Sequence, residues 1–273
     1  MANCNRTVLA VTAFMALSCL ACTPKINHEG SQSLPPANNA SASGGAVAAE
    51  TANAAAPNNA NGGVDAANQP AANEFGLVPF PDVEAPKITK TEQVRMTTDA
   101  GKLIIEVYPE AAPNAAKRFI ELVGKGFYDE TPIFRVVNNP QPFVAQFGIN
   151  WRPMMLAYKE NCFNDDTSYF QLLPGTLAFA KAGPNTNSTQ VFINFADNSP
   201  LRAQGFTTFA RITEGMDCLK NFKAVGDPQM GLDQEALWMN GAAYLQSLQD
   251  KPTMIQKAEL ITEENAPDKP EAK

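Results

Sequence analysis

Residues 31–74 form an alanine- and asparagine-rich stretch that limits how much of this chain can fold. The stretch contains 15 Ala and 8 Asn, no aromatic residue, and only three charged residues, Glu50, Asp65 and Glu74. Such a composition cannot bury enough apolar surface to offset the conformational entropy lost on ordering. The sequence therefore predicts a disordered tether over residues 22–74 and places the folded part of the 273-residue chain after it.

The first 21 residues have the pattern of a secretory signal. Arg6 precedes an apolar run over residues 8–20, which is too short to span a hydrocarbon core of ~30 Å. The run ends in Ser-Cys-Leu-Ala-Cys, and this ending resembles a bacterial lipoprotein signal, in which a cysteine becomes the lipidated first residue. The resemblance implies a signal peptide over residues 1–21 and lipidation at Cys22, with Cys19 as the alternative. An ordinary secretory signal is the other interpretation of this segment.

A lipid anchor would hold the chain at a membrane of the bacterial cell envelope without spanning it. Neither candidate cysteine is followed by Asp, the residue associated with inner-membrane retention in some bacteria, which favours the outer membrane.

Charge and histidine content exclude several classes of function. The chain has 21 basic and 28 acidic residues, which gives a formal charge of −7 and disfavours binding to nucleic acid phosphates. Its single histidine, His28, rules out a histidine-based catalytic triad or a multi-histidine metal site. We expect no metal, no cofactor and no nucleic acid partner.

Residues 91–265 read as one folded domain, preceded by a Pro-rich lead-in over residues 75–90 and followed by a disordered tail over residues 266–273. An apolar stripe of period 3.6 predicts a helix over residues 113–124, a short second helix is expected over 215–222, and a third is expected over 235–248. The remaining pattern is of strands separated by turns, without a βαβ rhythm, which predicts a mainly-β fold, a closed antiparallel barrel with helical caps. The strand-like runs cover residues 94–98, 102–108, 133–137, 143–148, 176–182, 190–195, 206–212 and 252–261.

Three sequence blocks carry a more specific signal. They read FYDETPIFRVVNNPQPFVAQFG at residues 127–148, FAKAGPNTNSTQVFIN at 179–194 and PLRAQGFTTFARITEGMD at 200–217. In this order and spacing they resemble the cyclophilin family of peptidyl-prolyl cis–trans isomerases. The resemblance implies a closed eight-stranded antiparallel barrel capped by two α-helices, with a groove for Pro-containing peptides on its outer face.

The resemblance also assigns residues to that groove. Arg135 falls on the catalytic arginine, and Gln146 falls on the glutamine that orients the arginine and the substrate. Lys181 is expected to be a charge at the rim. The substrate-binding set that the resemblance implies is Phe134, Phe143, Val144, Ala180, Lys181, Ala182, Gln190, Phe192, Leu201 and Phe206.

These residue types suit rotation about an X–Pro bond. The rotation faces a barrier of ~18–20 kcal/mol because the nitrogen lone pair is delocalised into the carbonyl. An apolar pocket for the proline ring and a donor aimed at the nitrogen as it becomes pyramidal lower that barrier without a nucleophile or a metal. Arg135 can supply the donor.

Three departures from the family pattern leave an alternative open. Phe134 stands where many members have histidine, Pro200 stands where an aromatic residue is common, and the turn over residues 138–142 is longer than usual. The alternative is a catalytically weak module that binds Pro-containing peptides or an envelope partner. The sequence leaves undecided whether Cys162 and Cys218 pair.

Overall fold

The structure is a computed structural model that describes residues 70–263 and residue 265. The predicted signal peptide, both candidate lipidation cysteines, most of the predicted tether and the predicted tail lie outside the described residues. Of the tether, residues 70–74 are described, and the Asn73 side chain accepts hydrogen bonds from the N–H groups of Phe75 and Leu77 at 3.0 and 2.9 Å. Within the described part of the chain, no helix has the length and apolar character needed to cross a membrane.

Eight antiparallel strands close into a barrel in the order β1-β2-β7-β5-β6-β4-β3-β8, and β8 pairs with β1 to complete it. This arrangement confirms the predicted mainly-β closed eight-stranded antiparallel barrel. The last predicted strand before the C-terminal helix begins at Ala210 rather than at Phe206, so Phe206 lies in the approach to the strand. The strands are β1 (Glu92–Thr98), β2 (Gly101–Val107), β3 (Thr131–Val136), β4 (Val144–Phe147), β5 (Thr176–Phe179), β6 (Val191–Asn194), β7 (Ala210–Glu214) and β8 (Met254–Leu260).

Within residues 70–263, three α-helices accompany the barrel: α1 (Pro113–Gly124), α2 (Leu156–Glu160) and α3 (Gln234–Ser247). Helix α1 begins with a proline, as predicted, and the Asp166 carboxylate accepts hydrogen bonds from two N–H groups of its first turn. Burial raises the pKa of Asp166 above its ordinary value. Helix α3 confirms the predicted C-terminal helix and has a kink at Asn240.

The helix expected over residues 215–222 is instead a 3₁₀ helix, Met216–Asn221. Gly215 precedes it with a φ of +86°, and a Cβ at this position would overlap the carbonyl oxygen of Lys102. This left-handed start and the extended backbone at Phe222 limit the segment to six residues. Near its middle, Cys218 is a free thiol, so it does not pair with Cys162.

The barrel interior and the barrel's outer surface hold separate apolar clusters. The largest cluster fills the interior with side chains from all eight strands, packed against α1. The lead-in runs along the outside, where Leu77 and Ile88 pack against Tyr108 and Phe170. Main-chain hydrogen bonds of 2.9 Å join Phe80 to Tyr169 and Gln171 to Val78, so the lead-in is an integral layer of the domain.

Candidate active site

An apolar cluster on the outer face of β4, β5 and β6 gathers most of the side chains that the sequence assigned to a groove. Phe192 and Phe206 meet edge to face, with ring centroids 5.6 Å apart. We call this group the outer aromatic cluster; its buried members are Val144, Leu172, Ala178, Ala180, Phe192, Leu201 and Phe206, and Phe80 and Phe143 pack against them half-buried. Six of the predicted substrate-binding residues therefore come together: Phe143, Val144, Ala180, Phe192, Leu201 and Phe206.

Arg135 lies beside this cluster, with its guanidinium carbon 5.9 Å from the centroid of the Phe143 ring. Its Nη1 donates to Oε1 of Gln146 at 3.1 Å, and its Nε donates to the carbonyl oxygen of Gln229 at 2.6 Å. The residue is only 2% exposed. Burial lowers the pKa of Arg135 from its ordinary value, yet an arginine starts so far above neutrality that it stays protonated.

A chain of glutamine side chains extends from Arg135. Gln146 Nε2 donates to Gln190 Oε1 at 2.8 Å, and Gln190 Nε2 donates to Gln234 Oε1 at 3.1 Å. Gln146 and Gln190 were expected in the groove, whereas Gln234 and the Gln229 carbonyl were missed. Neither has a sequence signal, because both lie outside the three motif blocks.

Lys181 is not the rim charge that the sequence predicted. Its side chain is buried, and its Nζ donates to Asp165 Oδ2 at 2.7 Å and to the carbonyl oxygen of Gly205 at 2.9 Å. The ammonium also lies 5.5 Å from the centroid of the Phe206 ring. A buried ammonium needs such partners, and they fix Lys181 beneath the loop that carries Phe206. Asp165 was not anticipated, since it lies between the motif blocks in a segment that is neither helix nor strand.

The sequence assigns Phe134 to the substrate-binding set, but the structure places its ring outside the outer aromatic cluster. Its ring belongs to the interior cluster together with Ile133 and Val136. The pairing of β3 with β4 shifts register between Ile133 and Arg135, so two consecutive residues face the interior before the chain returns to alternation. The histidine position of the family pattern is a core position in this chain.

Some main-chain N–H groups near Lys181 already form hydrogen bonds within the domain. The N–H of Ala180 donates to the Gln190 carbonyl at 2.9 Å, and the N–H of Ala182 donates to Oγ1 of Thr186 at 3.0 Å.

The two other departures from the family pattern, at Pro200 and in the turn over residues 138–142, lie at the edges of the site. Pro200 is exposed in the first turn of a 3₁₀ helix, Ser199–Gln204, whose Leu201 is buried, and the carbonyl of Asn139 accepts a hydrogen bond from Gln229 Nε2 at 2.9 Å.

The arrangement combines an aromatic wall with a cationic donor held at fixed direction. It can accept a small apolar ring and present N–H groups to an atom that gains electron density. Over residues 70–263, the acidic, cysteine and histidine side chains form no group of three or more that could hold a metal ion. The described residues thus form a class of site in which an apolar wall lies beside a fixed hydrogen-bond donor.

Comparison with known proteins agrees with this class. The cyclophilin type peptidyl-prolyl cis-trans isomerase/CLD family matches residues 93–236 of this chain. Peptidyl-prolyl cis-trans isomerase B of Escherichia coli (strain K12) is 31% identical over 152 residues, which cover 52% of this chain and 90% of that protein. A peptidyl-prolyl cis-trans isomerase of Acinetobacter baylyi is 32% identical over 146 residues, covering 52% of this chain and 77% of that protein.

The chain belongs to the cyclophilin-type peptidyl-prolyl cis-trans isomerase family, and its enzyme class is that of an isomerase. The matched range runs from β1 to the first turn of α3. It therefore includes the outer aromatic cluster from Phe143 to Phe206, Arg135 and the whole chain of glutamines.

Proposed function

We propose that this isomerase accelerates X–Pro rotation in proteins of the bacterial cell envelope, and that Arg135 stabilises the twisted amide. The observation that supports the role of Arg135 is its guanidinium, which is fixed by Gln146 and by the Gln229 carbonyl next to the Phe143 ring. Its hydrogen bonds hold the direction of the donor before substrate arrives, so little reorganisation is needed at the transition state.

The chemistry follows from what the amide loses during rotation. As the C–N bond twists, the prolyl nitrogen becomes pyramidal and its lone pair becomes available to a donor. A guanidinium has five N–H groups, and the bonds from Nε and Nη1 occupy two of them. A remaining N–H of Arg135 can donate to that nitrogen, and this bond strengthens only in the twisted state, which is the condition for lowering the barrier.

The partners we propose are Pro-containing segments of client proteins. The outer aromatic cluster supplies the wall for the proline ring. Since the N–H groups of Ala180 and Ala182 are used within the domain, we assign the pairing with the peptide backbone to the main chain of Lys181.

The role of Arg135 is tested with a proline peptide in a protease-coupled assay or by NMR exchange, using the full chain. Arg135→Ala should lower kcat/KM by about a hundredfold, as removal of a transition-state donor does elsewhere. Arg95→Ala is the matched control, because Arg95 lies on β1 and pairs with Glu259 at 3.1 Å, away from the site. Turnover by Arg135→Ala equal to that of the control would refute the assignment.

The envelope location rests on the N-terminal sequence. We propose that a lipid on Cys22, or alternatively on Cys19, anchors the chain to a bacterial membrane, the outer membrane being favoured. Mass spectrometry of the mature N-terminus would show a lipidated cysteine, and Cys22→Ala would release the protein from the membrane fraction. An unmodified N-terminus elsewhere in the chain would refute the anchor.

A second candidate function is a module that holds Pro-containing peptides but turns them over slowly. The deep burial of Arg135 favours it, because an arginine residue that is 2% exposed can reach a peptide only over a small area. Peptide binding seen in NMR titration, together with turnover no faster than that of Arg135→Ala, would support this function over the first.

A further inference from the structure

Residues 226–234 pass close beside β3 at Phe134 and Arg135. The N–H of Leu232 donates to the carbonyl oxygen of Phe134 at 2.8 Å, and the carbonyl of Gln229 accepts from Arg135 Nε. Gly231 has a φ of +74°, and a Cβ there would overlap the Phe134 carbonyl and lie 2.8 Å from Cβ of Arg135. Only glycine lets the two backbones approach this closely. We call residues 226–234 the arginine clamp.

The clamp has a defined shape of its own. Asp227 and Gly231 exchange two main-chain hydrogen bonds of 2.8 Å, and the Asp227 carboxylate accepts from the N–H groups of Gln229 and Met230, also at 2.8 Å. These two bonds lower the pKa of Asp227 below its ordinary value. The turn therefore presents the Gln229 carbonyl to Arg135 in one direction.

Gln234, the last residue of the clamp, connects to Arg135 by a second route. A guanidinium can only donate, so Gln146 must face it with Oε1 and is left with Nε2 to donate to Gln190. Gln190 in turn must face Gln146 with Oε1 and is left with Nε2 to donate to Gln234. The orientation of each amide depends on the next one, and Gln234 is the far end of the series.

We propose that the arginine clamp positions Arg135 for isomerisation and that Gln234 is a positioning residue acting through Gln190 and Gln146. This inference rests on the role of Arg135 given under Proposed function. Without the acceptor at position 234, the Gln190 amide loses one of its hydrogen-bond partners, so it holds the orientation of Gln146, and through it the direction of the guanidinium, less firmly. A donor that must be oriented during the reaction stabilises the transition state less than one oriented beforehand.

The test is Gln234→Leu in the full chain, compared with two matched variants. Gln234→Glu keeps an oxygen acceptor for Gln190, and Gln246→Leu removes an exposed glutamine from the same helix. Gln234→Leu should lower kcat about threefold to tenfold, the size of one net hydrogen bond, with KM and the midpoint of thermal unfolding unchanged. Gln234→Glu should restore most of that loss, and Gln246→Leu should behave as wild type.

Two further measurements separate positioning from a structural role. In a Gln146→Leu background, Gln234→Leu should cause no additional loss, because the route to Arg135 is already cut. The NMR signal of the Arg135 Nε–H should shift or broaden in Gln234→Leu and stay in place in Gln246→Leu. Additive losses, an unshifted signal, or a fall in stability that accounts for the lost activity would each overturn the inference.

Arg135→Ala is measured alongside. If Arg135→Ala keeps wild-type turnover, both the proposed catalytic role of Arg135 and the positioning role of the arginine clamp are refuted. If it loses turnover while Gln234→Leu does not, the catalytic role stands and only the positioning role of Gln234 is refuted.

Discussion

Strands β3 and β4 have two buried faces of different chemistry, one toward the barrel interior and one toward the arginine clamp. The interior face includes the apolar side chains of Phe134, Ala145 and Phe147. The outer face carries Arg135 and Gln146, which are as deeply buried but polar. The apolar face needs only apolar neighbours that fill the space, whereas the polar face needs partners of matching hydrogen-bond geometry.

This difference shows how a barrel can carry a charged side chain on its outside without exposing it. The partners of the outer face come from segments distant in sequence: the clamp supplies a carbonyl and Gln234, and the lead-in supplies Phe80. Strand β3 fixes the position of the Arg135 main chain, and the partners from the loops fix the direction of its guanidinium. Substitutions on the interior face should therefore change mainly stability, and substitutions on the outer face should change mainly turnover.

The largest expected effect is on the interior face. Phe134→Ala leaves a cavity in the interior cluster and should reduce the free energy of unfolding by about 3–5 kcal/mol. Chemical denaturation measures the loss, and turnover per folded molecule should stay close to wild type. If the variant keeps its stability but loses turnover, Phe134 belongs to the groove, and its assignment to the interior cluster is contradicted.

Lys181→Met tests the ion pair beneath the outer aromatic cluster. It leaves the half-buried Asp165 without its cation and frees the loop at Gly205, so we expect a loss of about 1–3 kcal/mol in stability. KM should rise more than kcat falls, because Phe206 loses its support while Arg135 keeps its own. An unchanged KM would show that the ion pair does not hold the wall of the site. The matched control is Lys220→Met, because Lys220 forms an exposed pair with Asp217.

Gly231→Ala tests the close approach of the clamp to β3. The left-handed φ and the overlap with the Phe134 carbonyl should cost about 1–3 kcal/mol, and kcat should fall as the Gln229 carbonyl moves away from Arg135. Gly124→Ala is the control, because no atom lies within 4 Å of a Cβ at that helical position. That control should be neutral or slightly stabilising. Equal behaviour of the two variants would argue against a tight clamp.

The smallest expected effect is that of pH. Burial lowers the pKa of Arg135, so its charged form can be lost only as the pH rises, and it starts far above neutrality. Turnover should be level between about pH 6 and 9, with any fall at the alkaline end. A fall on the acid side of this range, measured with a pH-stable peptide, would indicate a catalytic group that this account lacks.

The sequence predicted the barrel well because its signals are local. Strand alternation, the stripe in α1 and the turn at Gly101 each lie within a few residues. The motif blocks then predicted Arg135, Gln146 and the outer aromatic cluster, which the structure brings together.

The remaining features could not be predicted because they depend on distant partners or on irregular geometry. Arg135 meets the Gln229 carbonyl across 94 positions, and a main-chain acceptor has no side-chain signature. Lys181 is buried because Asp165, 16 positions away, neutralises it. Phe134 faces inward because β3 shifts register at that point, which an alternating pattern does not reveal.

Arg135 and Phe134 are adjacent in the chain but face different surroundings, so substitutions at the two positions separate turnover from stability. Turnover and the free energy of unfolding are measured for Arg135→Ala and Phe134→Leu in the full chain. We predict that Arg135→Ala loses about a hundredfold in kcat/KM and that Phe134→Leu keeps its turnover while losing stability. Wild-type turnover in Arg135→Ala would contradict the central claim that this buried arginine stabilises the twisted amide.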